Sequence, residues 1–90
     1  MPLPIRQTTK FRRDIKRLRR QGANLSQLQA IIVTLAAQEP LDVQYRDHSL
    51  VGNWKGYREC HIRPDLLLIY RIEDDELQLA RTGSHAQLFR

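Results

Sequence analysis

The chain has 90 residues and a mass of 10.6 kDa, with 41% hydrophobic and 28% charged residues. A chain of this size buries roughly 60–65% of the surface that its unfolded state exposes, so one small domain spanning residues 1–90 is expected and a second domain is excluded. Fifteen lysines and arginines against ten acidic residues give a net charge of +5. This balance favours an anionic partner such as nucleic acid.

The sequence also argues against two other classes of protein. Its single cysteine, Cys60, cannot form an internal disulfide, which disfavours a disulfide-stapled secreted scaffold. No apolar run approaches the ~20 residues that span a bilayer, and the first residues lack the apolar region of a signal peptide. We therefore expect a soluble, cytoplasmic protein with no membrane partner.

The first element in chain order is a predicted amphipathic helix. Thr8 or Thr9 suits its N-cap, and Gly22 suits the position after its end. Apolar residues at positions 11, 15 and 18 form one stripe of a helix, and lysines and arginines surround that stripe. The solvent face of this helix is therefore strongly positive.

A second amphipathic helix follows. Asn24 suits its N-cap, and Gln27 three residues later completes the pattern of a capping box. Pro40 stops the helix, because the residue before a proline is pushed out of the helical region. A short connection joins the two helices, which should therefore pack as an antiparallel hairpin.

The sequence after Pro40 favours strands. Residues 41–55 are polar and rich in turn formers, which predicts a loop. Strands are predicted over residues 57–63, 66–73 and 77–82, and the apolar run that opens the second fits a central strand covered on both faces. A further strand over residues 3–7 is restricted to the sheet edge by two prolines.

This order of elements predicts an α+β fold. The N-terminal helical hairpin is expected to pack on one face of a small, mainly antiparallel β-sheet, with an additional N-terminal edge strand. The three C-terminal strands are expected to form a meander.

All three histidines, His48, His61 and His85, lie in the strand-rich part of the sequence. Histidine exchanges protons readily near cellular pH, so the three are candidates for acid–base chemistry. In a meander they come together only if the long loop folds over the sheet. Each of the three is also interpretable as an ordinary surface or structural histidine with no catalytic role.

A metal site is the first alternative. Cys60 and His61 are adjacent, but successive side chains of a strand point to opposite faces and cannot reach one ion. The ligand spacings of structural zinc sites are also missing. We expect no metal and no cofactor, and we interpret Cys60 as a buried, unreactive thiol.

Metal-free RNA cleavage fits the residues better. RNA carries its own nucleophile, the 2′-OH, and the enzyme needs a general base, a general acid and a fixed cation. The candidate proton carriers are His48, His61, Asp65 and His85. Arg81 or Lys55 suits the cation, while Asp65 also suits a turn residue that hydrogen-bonds its own backbone.

Three aromatic residues stand among these charges and could stack on unpaired bases. Trp54 and Tyr57 suit packing in or around the core equally well. Phe89 is harder to explain as core, because it lies second from the end of the sequence, where chains usually fray.

Several short motifs follow one another in the C-terminal half. They are DHSL at 47–50, GNWKGYR at 52–58, HIRPD at 61–65, LIY at 68–70 and RTGSHAQLF at 81–89. In this order they resemble the YafQ-type bacterial toxins of the RelE superfamily. The resemblance implies a RelE-like fold and a ribosome-dependent mRNA endonuclease that enters the ribosomal A site and cuts without a metal.

The resemblance also implies roles for individual residues. The family's catalytic positions match His48, His61, Asp65 and His85. Arg81 matches a basic position near the scissile phosphate, and Phe89 matches an aromatic residue that orients the RNA. With Lys55 and Trp54, these two complete the expected RNA-binding set. We expect His85 to be the general acid, with the other three catalytic residues sharing the base and charge-stabilising roles.

The resemblance also implies that the protein belongs to a type II toxin–antitoxin pair and therefore has further partners. The basic first helix suits a grip on ribosomal RNA, a seat for the acidic segment of a cognate antitoxin, or a merely solvated face. The complex is expected to bind its operator DNA through the antitoxin. Two competing hypotheses are a noncatalytic RNA- or ribosome-binding module and a degenerate toxin that acts only as a corepressor.

Overall fold

In the computed structural model, which describes residues 1–89, three helices pack on a five-stranded mixed sheet. In chain order the elements are β1 (Ile5–Gln7), α1 (Thr9–Arg20), α2 (Ser26–Ala36), β2 (His48–Ser49), β3 (Arg58–Arg63), β4 (Leu66–Glu73), β5 (Glu76–Gly83) and α3 (His85–Leu88). None of the helices in residues 1–89 is long and apolar enough to cross a membrane.

The strand order in the sheet is β1-β5-β4-β3-β2. Strands β2 to β5 pair antiparallel, and β1 pairs parallel with β5 at one edge. The predicted α+β class, the meander and the N-terminal edge strand are therefore confirmed. The central strand is β4, as its continuous apolar run indicates.

Thr8 joins β1 to α1. Its backbone N–H donates to the Leu79 carbonyl, and its hydroxyl donates to the Ala80 carbonyl at 2.8 Å. The same hydroxyl oxygen accepts from the Phe11 N–H at 3.0 Å and so caps the helix. The predicted start of α1 is correct, and Gly22, at φ +75°, follows the helix end as predicted.

The predicted start of α2 is wrong. The helix begins at Ser26, and the capping position is held by Leu25, whose side chain makes no capping hydrogen bond. Asn24 instead accepts from the Ser26 N–H at 2.9 Å and from its hydroxyl at 2.7 Å, which closes a turn ahead of the helix. Gln27 is therefore the second residue of α2, whereas a capping box needs its glutamine or glutamate at the third.

Residues 41–55 are not only a loop. They contain two single 3₁₀ turns and the short strand β2, in which His48 pairs with Glu59 and Ser49 with Arg58. Two residues are too few to show the alternation that marks a strand in sequence. This strand exists because β3 offers it a partner.

The sheet has a core on each side. We call the side that α1 and α2 cover the hairpin face and the other side the open face. On the hairpin face Leu68, Tyr70 and Leu79 pack with residues of both helices. The open face carries a smaller cluster, which comprises Leu67, Ile69, Ala80 and Leu88 with Leu50, Trp54, Tyr57 and Phe89 packed against it. Alternate residues of β4 thus serve the two faces.

Candidate active site

His48, Glu59 and His61 form a cluster at the β2–β3 side of the open face. His48 lies directly opposite Glu59 in the ladder, and His61 is two residues further along β3. Both relationships place side chains on the same face of a sheet. The Glu59 Oε2 atom lies 3.0 Å from His48 Nε2 and 3.9 Å from His61 Nε2, and the two imidazole centroids are 6.0 Å apart.

The polar contacts of His48 hold its ring in this cluster. Its Nδ1 atom lies 2.7 Å from the Arg46 carbonyl oxygen, which can only accept, so Nδ1 carries a proton. Its Nε2 atom faces the Glu59 carboxyl at 3.0 Å, which is within hydrogen-bond distance. The His48 ring is therefore held at both nitrogens, by the Arg46 carbonyl at Nδ1 and by the Glu59 carboxyl at Nε2.

Glu59 is the site residue that the sequence analysis missed. Its side chain is only 7% exposed, and among the described residues its Oε1 atom has no hydrogen-bond partner. A buried carboxylate oxygen without a partner is costly and is available to a substrate or an ion. The signal in the sequence was the spacing of Glu59 and His61, which puts both on one side of a strand.

The same cluster is the set of residues that could hold a metal. The donor atoms of His48, Glu59 and His61 all lie within 4.8 Å of one another, and imidazole and carboxylate suit zinc and copper. Cys60 packs in the hairpin-face core with no exposed surface. Burial, with the Asp47 and Glu59 carboxylates nearby, raises the pKa of Cys60 to about 12, so the thiol stays protonated.

His85 and Phe89 reach the open face from the opposite direction. A capping box begins α3, in which the Ser84 hydroxyl accepts from the Gln87 N–H and the Gln87 side chain accepts from the Ser84 N–H. Phe89 packs against the open-face cluster, and its ring centroid lies 4.8 Å from that of His85.

The register of the sheet gives the separation between the His48–Glu59–His61 cluster and the helix α3 that carries His85. His61 pairs with Leu67, which in turn pairs with Gly83 at the end of β5. Two strand spacings of about 4.8 Å place Gly83 roughly 10 Å from His61, and α3 begins two residues later. The open face thus carries all three histidines, but His48 arrives through an added edge strand and not through a loop folded over the sheet.

Asp65 lies apart from the histidine cluster. It is exposed in the turn between β3 and β4 and lines a shallow depression with Arg63, Ser84 and Gln87. Asp65 is therefore a neighbour of the start of α3, on the side where Leu18 and Gln21 of the α1 end also line the depression.

Arg81 is held by Asp14 of α1. Its Nε atom donates to Oδ2 at 2.7 Å, and its Nη2 atom donates to Oδ1 at 3.1 Å. Burial alone would raise the pKa of Asp14, but hydrogen bonds from Arg81, the Thr82 N–H and Arg17 together hold that pKa below its ordinary value. Arg81 is thus a fixed cation, locked by a bidentate ion pair at the junction of α1 and β5.

Trp54 and Lys55 lie in the segment that covers part of the open face. The Trp54 ring meets the Tyr57 ring edge to face at 5.2 Å, and the Arg71 guanidinium lies 4.7 Å from the Tyr57 ring centroid. Trp54 is half-buried in this packing, whereas Lys55 is exposed. The tryptophan therefore contributes to the smaller core as well as to the surface beside it.

Solved structures of bacterial toxins have this fold. A copper-bound mutant toxin from Helicobacter pylori matches with a TM-score of 0.93 and 47% identity, covering 97% of this chain and 99% of that one. The toxin in the Escherichia coli DinJ-YafQ toxin-antitoxin complex matches with a TM-score of 0.90 and 35% identity over 100% of both chains. The protein is therefore a small bacterial toxin by fold.

Sequence comparison identifies the family. A family model described as the YafQ bacterial toxin of type II toxin-antitoxin systems matches residues 3–90. The mRNA interferase toxin YafQ of Escherichia coli K12 is 37% identical over 86 residues, covering 94% of each chain. The chain belongs to the YafQ family, and the resemblance seen in its motifs is confirmed.

Proposed function

We propose that this protein is an endoribonuclease that cuts ribosome-bound mRNA by acid–base catalysis, using the 2′-OH of the message as the nucleophile. The observation that carries the proposal is the His48–Glu59–His61 cluster, which gathers proton-transfer groups on one face of the fold. A relative that covers nearly the whole chain is named an mRNA interferase, which supports the same activity here.

The reaction needs two proton transfers on opposite sides of one phosphate. A base removes the 2′-OH proton, the O2′–P bond forms, the P–O5′ bond breaks, and an acid protonates the departing 5′-oxygen. The products are a 2′,3′-cyclic phosphate and a 5′-OH. Because attack is in line, the base and the acid must face each other across the scissile linkage.

The arrangement of the open face suits this requirement. We assign the base to the Glu59–His61 side of the cluster, where a carboxylate oxygen has no hydrogen-bond partner within residues 1–89. His48, held between the Arg46 carbonyl and the Glu59 carboxyl, is assigned to stabilising charge on the phosphorane. His85 is exposed about two strands away and is assigned as the acid.

Further residues are assigned to holding the message. Asp65, beside the start of α3, adjusts the charge around His85. Arg81 supplies a fixed positive charge and Lys55 an exposed one. Phe89, against the His85 ring, and Trp54 offer aromatic surface on which unpaired bases stack.

The copper-bound relative raises the question of a metal in this chain. His48, Glu59 and His61 have the donor atoms and the spacing to hold one ion. An ion bound there would act as a Lewis acid at the same atoms that the proposal uses for protons. The proton-transfer steps above are assigned to the side chains themselves.

Matched carboxylate variants test the assignment. Glu59→Gln is expected to lower message cleavage on programmed ribosomes by at least about 100-fold, the usual contribution of a general acid or base. Glu73→Gln removes the same charge from the exposed end of β4 and should leave cleavage unchanged. His85→Ala is expected to abolish cleavage and growth arrest. Full cleavage in both Glu59→Gln and His85→Ala would contradict the proposal and favour a noncatalytic ribosome-binding role.

The proposal includes neutralisation by a cognate antitoxin, as in the relative solved in complex with DinJ. A groove of about 460 Å³ runs between α1 and α2, and its lining includes Ile15, Leu28 and Ile32. Arg12, Lys16 and Arg19 also line this groove. An acidic amphipathic segment would match both features.

Charge reversal on α1 tests the docking site. Arg12→Glu with Lys16→Glu should weaken antitoxin binding at least tenfold while isolated toxin still cleaves message, because both side chains lie on the side of the molecule away from the open face. Arg71→Glu, outside the groove, is the control. Unchanged antitoxin affinity in the double variant would place the antitoxin elsewhere.

A further inference from the structure

On the hairpin face, β2 is held by a hydrogen-bond network that contains none of the proposed catalytic residues. Asp47, directly before His48, accepts from Arg58 Nε at 3.0 Å and from the Tyr70 hydroxyl at 2.7 Å. Arg58 also donates from Nη1 to the Ser49 hydroxyl at 2.9 Å. The residues on both sides of His48 are therefore tied to β3 and β4.

This network lies on the face opposite the active site. Tyr70 belongs to the hairpin-face core, and alternation along β2 puts Asp47 and Ser49 on that face when His48 is on the open face. The side chains of Asp47 and Ser49 therefore point away from the side chain of His48. The hydrogen bonds that fix the side chains of Asp47 and Ser49 also fix the backbone from which His48 projects.

The strand needs such an anchor because its ladder is short. In the part of the chain that the structure describes, the ladder of β2 with β3 comprises His48 and Ser49, one further hydrogen bond runs from the Leu50 N–H to the Tyr57 carbonyl, and β2 lies at the edge of the sheet. Tyr70, by contrast, is 2% exposed in the central strand β4. Burial, together with the Asp47 carboxylate, raises the pKa of Tyr70, so its hydroxyl remains a donor at the pH values at which histidines titrate.

We propose that Tyr70 and Asp47 are positioning residues, which hold β2 against the sheet from behind and thereby keep the His48 imidazole within hydrogen-bond distance of Glu59. The inference rests on the proposed function for its effect on cleavage, but the placement of His48 can be measured independently. Neither residue touches the open face, so neither is assigned a chemical step.

Tyr70→Phe is the most direct test, because it removes one oxygen and keeps the ring in the core. Single-turnover cleavage of ribosome-bound message should fall by about 10- to 100-fold, since displacement of a catalytic group by about 1 Å costs this much. Binding to ribosomes should be unchanged. Tyr45→Phe, which alters another tyrosine packed against the same core, is the matched control.

Two readouts separate positioning from a general loss of stability. The side-chain NMR signals of His48 should shift in Tyr70→Phe while those of His85 do not. In addition, His48→Gln should reduce cleavage much less in the Tyr70→Phe background than in the wild type, because the two changes damage the same contact. Asp47→Asn, at a half-exposed position, should shift the same His48 signals and provides the test should Tyr70→Phe fail to fold.

Unshifted His48 signals in both folded variants would overturn the inference, whatever happens to the cleavage rate. Shifted His48 signals with an undiminished rate would support the positioning and instead count against a catalytic role for His48. The failure of the inference and the failure of the proposed function are therefore distinguishable.

Discussion

Among single residues, Asp14 shows how much one buried charge can organise. It is 1% exposed and accepts four hydrogen bonds, one from Arg17, two from Arg81 and one from the backbone N–H of Thr82. The bond from Thr82 matters for the sheet, because the pairing of β1 with β5 ends at Leu79 and leaves the edge beyond it open. A helix side chain therefore takes the place of a missing strand partner.

Asp14→Ala is expected to lower the free energy of unfolding by about 3–5 kcal/mol, because it leaves two arginines and a strand N–H without their partner. Urea denaturation measures this loss. Asp42→Ala, at an exposed turn, is the control and should cost about 1 kcal/mol or less. Equal losses in the two variants would contradict the account of Asp14.

The stability of Asp14→Ala is also expected to depend on pH differently from that of the wild type. The folded state lowers the pKa of Asp14 from its ordinary value of 3.8, so the resulting stability is complete above that value and is lost as the pH falls through the folded-state pKa. Below about pH 4, wild-type stability should therefore fall more steeply than that of Asp14→Ala. Parallel profiles for the two proteins would show that this carboxylate contributes no such linkage.

At the scale of elements, the predictable parts were those with a strong local pattern. The predicted bounds of β4 are correct because its first residues form an unbroken apolar run, and α1 begins and ends at residues with the expected capping chemistry. By contrast, β2 and α3 have two and four residues and no periodicity to detect. Both elements owe their positions to tertiary contacts, and both carry histidines of the candidate site.

Gly83 controls how α3 docks on the sheet. Its φ is +152°, and an added Cβ would lie 2.7 Å from Gln87 Oε1 and 2.8 Å from Arg17 Nη2. Those two atoms are hydrogen-bonded to each other at 3.2 Å, and Gln87 Oε1 also completes the capping box of α3. A methyl group at this position would therefore disturb the connection between α1 and the helix that carries His85.

Gly83→Ala is expected to cost about 1–3 kcal/mol of stability from backbone strain alone and to reduce cleavage sharply by displacing His85 and Phe89. Gly22→Ala is the matched control, since that glycine also has a positive φ, +75°, but no atom of the described residues 1–89 lies within 4 Å of the added Cβ. It should lose stability and keep its activity. Thermal denaturation and cleavage assays on folded protein compare the two, and full activity of Gly83→Ala would contradict this role.

For the whole molecule, the sheet separates two tasks. The hairpin face holds the larger core and the anchors of β2, and the open face presents the histidines. The class of fold could be predicted because apolar periodicity and turn residues agree along the chain. The pairing of His48 with Glu59 could not, because it depends on the register between β2 and β3 and leaves no trace in the spacing of residues 48 and 59.

The most direct test of acid–base catalysis by this protein is the chemical identity of the ends that it leaves on the cleaved message. Purified protein is added to ribosomes programmed with a defined message, copper and zinc are removed with a selective chelator, and the termini of the fragments are identified by mass spectrometry. Acid–base catalysis on the open face predicts a 2′,3′-cyclic phosphate on one fragment and a 5′-OH on the other, with equal yield before and after metal removal. Fragments ending in 3′-OH and 5′-phosphate, or cleavage that requires an added metal, would contradict it.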